Sequence, residues 1–179
     1  TKGHSKVETA RNRLLDINPD IRIEAFNRFF HEETFDEIFS SPTDIVIDAI
    51  DSVTPKTRLL EMLSRKNIPV ISSMGAAQRI DPFSIRVGDL SETHSCPLAA
   101  RIRKYLRRVG VSKGIRCVYS IEKTTRPATP ASTQDSEEIE FYERGRKRQP
   151  VGSISYITGM FGNIIASEVL KFLKNESQH

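Results

Sequence analysis

Cysteine is scarce: Cys96 and Cys117 stand far apart and form no CxxC pair, which argues against a disulfide framework or a zinc site and fits a reducing interior. No apolar run approaches the roughly 20 residues of a membrane span, and no charged-then-apolar leader stands at the start. A cytoplasmic protein without a membrane anchor is the expectation. The scattered glycines supply no GxGxxG turn, and the histidines His4, His31, His94 and His179 show no metal-ligand spacing. What remains is a chain of 179 residues with 37% apolar content, long enough for one compact domain with a sizeable core. The net charge of +4 is modest, and its placement along the chain matters more than its total.

The stretch that organises the chain is Asp44-Ile-Val-Ile-Asp-Ala-Ile-Asp-Ser52, an apolar β-branched run bounded by Pro42 and by Thr54-Pro55. It reads as a strand buried on both faces of a parallel sheet. Side chains alternate along a strand, so Val46 and Asp48 face one way, Ile45 and Ile47 the other, and Asp51 falls where the chain leaves for a helix. Ligands of open α/β sheets bind outside the carboxyl ends of the strands. Asp51 is therefore a candidate for a nucleotide and its metal, beside the plain reading of a helix N-cap ahead of Val53. Asp48, inside the strand, must find hydrogen-bond donors or stay protonated, and it reads equally as a hydrogen-bonded core acid.

Around this stretch the pattern alternates. A helix carrying Val7, Ala10, Leu14 and Ile17 stops at Asn18-Pro19, strand alternation follows over Ile21 to Phe26, and a short helix runs from about Glu32 to Phe39. After Asp51, a helix with Leu59, Leu60, Met62 and Leu63 leads to the strand Ile68 to Ser73. Strand, helix, strand in this order predicts a parallel sheet with crossovers. Met74-Gly-Ala-Ala77 places small residues after that strand, and Phe83 to Val87 reads as an added strand. Pro97 to Val109 is an amphipathic helix with Leu98, Ile102, Tyr105, Leu106 and Val109 on one face. Arg101, Arg103, Lys104, Arg107 and Arg108 surround the rest with no acidic residue among them, so a phosphate-contacting surface stands beside the plain reading of a solvated face. Ile115 to Ile121 reads as a strand, 124–150 as a long flexible insert containing the basic run Arg144 to Arg148, and Gly152 to Leu173 as a buried helix.

Lys6-Val-Glu-Thr-Ala10 with Ile17-Asn-Pro19, then Asp48-Ala-Ile-Asp-Ser52, then Asn67-Ile-Pro69 come in an order and spacing that resembles the ubiquitin-activating-type, ThiF/MoeB-like adenylating enzymes. Within that family, Gly75-Ala-Ala-Gln-Arg-Ile-Asp-Pro82, Asp89-Leu90, Pro97-Leu-Ala-Ala100 and Phe161-Gly162 are similar to the branch that dehydrates threonylcarbamoyladenosine in tRNA. The fold implied is α/β: a Rossmann-like, largely parallel sheet flanked by helices, with added antiparallel strands in the second half. Residues 1–179 would be the C-terminal major part of one adenylation domain. The family's glycine-rich loop is expected upstream of Thr1, since the chain begins without Met and runs at once into a helix.

The resemblance also implies chemistry. ATP and Mg²⁺ would activate the carboxylate of the tRNA modification as an acyl-adenylate, which then cyclises with release of AMP. Lys6 matches the family's phosphate-contacting lysine, Asp51 its magnesium-associated aspartate, and Asp48 and Ser52 are neighbours that support the site. A homodimer, tRNA and a sulfur-relay protein are the partners it suggests. Two other readings stay open: activation of a ubiquitin-like or sulfur-carrier protein, and a noncatalytic tRNA- or protein-binding scaffold. Cys117 reads as core, and Cys96, before a helix N-terminus, as a structural thiol ahead of a nucleophile.

Overall fold

The computed structural model describes residues 3–123 and 152–176, which fall into two compact units, one ending at Pro42 and the other beginning at Thr43. The expected insert and its basic run lie outside the described residues.

The first unit holds α1 (Lys6–Ile17) and α2 (Glu32–Ile38). Ser5 caps α1 by accepting the Glu8 amide at 3.5 Å. At the other end the Asn18 amide donates back to Leu14 O at 2.9 Å, and the Asn18 side chain accepts the Asp20 amide at 3.1 Å. That Asx turn and Pro19 end the helix. Phe35 of α2 is buried, with Phe30 and Phe39 packed against its ring. Ile21 to Phe26 is not a strand: it joins no ladder among the described residues. Alternation alone does not satisfy backbone groups, and a strand requires a neighbour that does.

The second unit is a sheet with helices. Its strands are β1 (Val46–Asp48), β2 (Val70–Ser73), β3 (Ile85–Asp89) and β4 (Arg116–Ser120), in the order β1-β2-β4-β3. β1, β2 and β4 run parallel, and β3 pairs antiparallel with β4. Its helices are α3 (Val53–Arg65), α4 (Pro97–Arg108) and α5 (Ser155–Glu176). Ile157, Phe161 and Ile165 of α5 bury themselves against Ile71, Ile85 and Val118 on one sheet face. On the other face Lys56 of α3 reaches Asp48 of β1, and α4 packs beside α3, where Tyr105 donates to Glu61 at 3.2 Å and Arg58 lies 5.3 Å from the Tyr105 ring.

Two expectations change here. β1 alternates as expected, but Ile47 is 53% exposed: in the described residues β1 is an edge strand, so only its Val46 and Asp48 face is fully covered. The added strand begins at Ile85 rather than Phe83, because Asp81 accepts the Phe83 amide at 2.9 Å and winds Pro82–Ser84 into a 3-10 turn that leaves Phe83 exposed. No helix among the described residues is long and apolar enough to cross a membrane.

Candidate active site

The carboxyl end of β1 is built around a buried charge. Asp48 and Lys56 are both fully buried, with Lys56 Nζ 2.5 Å from Asp48 Oδ2. The Ser72 hydroxyl donates to the same oxygen at 2.6 Å, and the Ile50 amide donates to Asp48 Oδ1 at 3.0 Å. Asp48 thus joins three segments: the adjacent strand through Ser72, the first turns of α3 through Lys56, and its own exit turn through Ile50. Burial pulls the Lys56 ammonium below its ordinary pKa, and the Asp48 carboxylate beside it pushes the other way. The pair ties the exit turn to α3 and to the neighbouring strand and does not meet solvent.

That turn presents Asp51. It is exposed, two residues before α3 begins and next to its N-cap Ser52, whose hydroxyl donates to Asp51 Oδ1 at 3.4 Å. No acidic residue stands in the first turn of α3, so the positive end of the helix dipole points at the same rim. The rim therefore offers one solvent-reaching carboxylate beside a region that favours anions. Magnesium commonly uses one or two carboxylates and completes its shell with water and substrate phosphates. Asp51 fits that mode of binding. It does not fit an all-protein cage, since no group of three or more His, Cys, Asp or Glu among the described residues can hold a metal.

The other sequence candidates divide. Lys6 is exposed on the first turn of α1, in the first unit. Asp48 is buried and acts only through what it holds. Arg101, Lys104, Arg107 and Arg108 are exposed along α4, as a surface that meets phosphate requires. Arg103 departs from them: it is half-buried, and its guanidinium donates to the Thr93 carbonyl at 2.7 Å and to the Thr93 hydroxyl. At 100° per residue Arg103 falls at the border of the apolar stripe, which turns it inward. Cys96 and Cys117 are buried thiols, and burial pushes Cys117 up to about 12. That suits a core residue and removes the thiolate a nucleophile needs.

Nothing in the local sequence pattern marks Lys56 or Arg79 as buried. A lysine in the first turns of a helix ordinarily reads as solvated, and Lys56 announces itself only once Asp48 is known to be buried above it. Arg79, in the loop after β2, is 2% exposed and donates to the Ser95 carbonyl at 2.7 Å.

Comparison with known proteins gives the chain its family. The chain is 39% identical over 122 residues to the tRNA threonylcarbamoyladenosine dehydratase of Bacillus subtilis, covering 68% of this chain and 48% of that protein. It is 33% identical over 180 residues to the enzyme of the same name from Escherichia coli, covering 94% of this chain and 66% of that one. The crystal structure of the Escherichia coli dehydratase in complex with ATP superposes with a TM-score of 0.81 at 30% identity, over 99% of this chain and 67% of that one. The chain thus spans between about half and two thirds of these relatives, and its Rossmann-like fold is theirs. The profile of the ThiF family matches residues 1–179 from end to end, and the chain belongs to that family.

Proposed function

We propose that the protein to which this chain belongs is an ATP-dependent dehydratase acting on threonylcarbamoyladenosine in tRNA. The observation that carries the reading is the rim at the end of β1, where exposed Asp51 is held by the buried Asp48, Lys56 and Ser72 network at the N-terminal end of α3. The likeness to named dehydratases sets the substrate class.

In the proposed reaction a carboxylate oxygen of the modification attacks the α-phosphorus of ATP, and pyrophosphate leaves. A nucleophile within the same modification then attacks the activated carbonyl, and AMP departs with the carboxylate oxygen, so one water equivalent is lost overall. Mg²⁺ bound through Asp51 would offset the charge that gathers on the leaving pyrophosphate. Asp51 fixes the position of that charge at the rim. The N-terminal end of α3 favours phosphate there, and the Asp48 to Ile50 hydrogen bond sets the turn geometry. Lys6 is assigned a phosphate contact by resemblance, and its replacement by Ala should slow nucleotide use about 10- to 1000-fold if the contact tightens in the transition state. tRNA is the macromolecular partner, met by the exposed basic face of α4. The same reading takes the whole protein to be a homodimer, checked by light scattering, and a sulfur-relay protein to be a partner, checked by pull-down.

The test is pyrophosphate exchange into ATP by the full-length protein, with tRNA carrying the modification present or absent. Exchange that requires the modified tRNA, and falls at least about 100-fold in Asp51→Ala with an unchanged thermal melt, is the expected outcome. Exchange that depends instead on the C-terminal glycine of a ubiquitin-like protein would move the protein to the sulfur-carrier branch.

A further inference from the structure

The carboxyl side of the sheet carries a second feature, which the reaction above does not use. α4 begins there: a Cβ built on Gly75, just past β2, would lie 3.8 Å from Cys96 Sγ and from Leu98 Cβ. The first turn of α4 holds no acidic residue, and Cys96 makes no side-chain cap. The positive end of this helix is unanswered. An open cleft of about 440 Å³ runs along the helix from that end, lined by Ser95, Cys96, Pro97, Ala100, Arg103 and Lys123. Among the described residues two cations line it and no carboxylate does.

A helix end alone makes no site, but Arg79 is an independent observation. Its guanidinium is buried, reaches the cleft wall at the Ser95 carbonyl, and leaves Nε and Nη1 without a hydrogen-bond partner among the described residues. Arginine cannot shed its proton to relieve this. A buried, uncompensated charge is strongly unfavourable unless an anion answers it, and it is weakly screened by water. Arg79, Arg103, Lys123 and the helix end therefore gather positive charge at the cleft, while the carboxylate of Glu122, beside Lys123, is taken up by the Ile80 and Asp81 amides at 3.0 Å.

We propose that this cleft is a phosphate site, and that the phosphate it takes is a phosphodiester of the tRNA. Lys123 is the exposed contact, the N-terminal end of α4 orients the oxygens, and Arg79 supplies charge from behind Ser95. The phosphate chemistry stands on the cleft itself, whereas the choice of tRNA rests on the function proposed above. Two features favour a polynucleotide over the nucleotide. The cleft lies at the ends of β2 and β4, up to two strand spacings or about 10 Å from the end of β1 where Asp51 sits. The exposed basic residues Lys104 and Arg107 also continue along the same helix on the side that Ala100 and Arg103 turn to the cleft.

Filter binding of tRNA to the full-length protein at several salt concentrations tests this, with pyrophosphate and ATP affinity measured in parallel. Lys123→Gln should weaken tRNA binding several-fold and lower the slope of log K against log salt by about 1. Arg79→Met should weaken it in the same direction. Lys123 is exposed, so its variant decides the matter even if Arg79→Met does not fold. An unchanged slope with weakened pyrophosphate or ATP binding would assign the cleft to the nucleotide and overturn the tRNA proposal. No change in any of these affinities would overturn the site altogether. Binding is read without turnover, so a failed dehydratase assay leaves this result independent.

Discussion

Lys56 and Asp48 bring opposite charges into a part of the sheet that water does not reach, and the consequence of losing one differs from that of losing both. Lys56→Met strands a carboxylate in the interior and should cost about 3–5 kcal/mol. Adding Asp48→Asn to it removes the stranded charge, so the double variant should recover part of that loss in urea unfolding. Strict additivity of the two single effects would mean that the pair is not coupled. Activity tells a different story at the same residues. The double variant keeps a folded sheet but loses the acceptor strength that holds the Ile50 amide, so pyrophosphate exchange should fall even where stability returns. Asp51 behaves in the opposite way, because it is exposed and its replacement should spare stability while removing exchange. The sequence announced Asp51 by its place at a strand end. It did not announce the partner of Asp48, because Ser72 and Lys56 reach it from another strand and another helix, and pairing across 24 residues is not visible in local pattern.

Among the elements, α4 shows how far periodicity reads and where it stops. Arg101, Lys104, Arg107 and Arg108 share a stripe about 120° wide, opposite the one that buries Ala99, Ile102 and Leu106. The bare inventory of basic residues hid the division between these four and Arg103. Charge reversal of Arg101, Lys104 and Arg108 to Glu should leave the helix docked, raise the KM for tRNA and lower the salt slope by about one for each phosphate no longer neutralised. Equal slopes for variant and wild type would leave α4 a solvated helix. α5 is tied to the sheet differently. Burial raises the Glu168 pKa, but Lys171 at 2.7 Å and Arg116 at 2.5 Å outweigh it and hold the carboxyl below its ordinary value. A carboxylate depressed in the folded state adds stability above about pH 4.5 that is lost as pH falls through the folded value. Both partners are more than half exposed, so the contribution is modest, about 1 kcal/mol or less. Glu168→Gln should show a shallower loss of stability between pH 5 and pH 3 than wild type, as read by urea midpoints. Identical acid profiles would remove this tether from the account.

For the molecule as a whole, the order of strands and helices in the second unit was legible because each element carries its own apolar period and its own stop. β3 came out two residues late because the Asp81 turn takes Phe83 first. Ile21 to Phe26 misled because its alternation has no partner strand among the described residues, and the exposed Ile47 could not be foreseen from a run that reads as buried on both faces. The chemistry was legible only through resemblance, since a lone rim carboxylate and a basic helix fit several reactions. The most direct measurement is therefore of the product. Full-length protein is incubated with ATP, Mg²⁺ and tRNA carrying threonylcarbamoyladenosine, and the digested nucleosides are weighed by mass spectrometry alongside released AMP and pyrophosphate. The expected product is a nucleoside lighter by one water, with one AMP and one pyrophosphate formed for each. An unchanged nucleoside, despite ATP consumption driven by some other carboxylate, would contradict the proposed function.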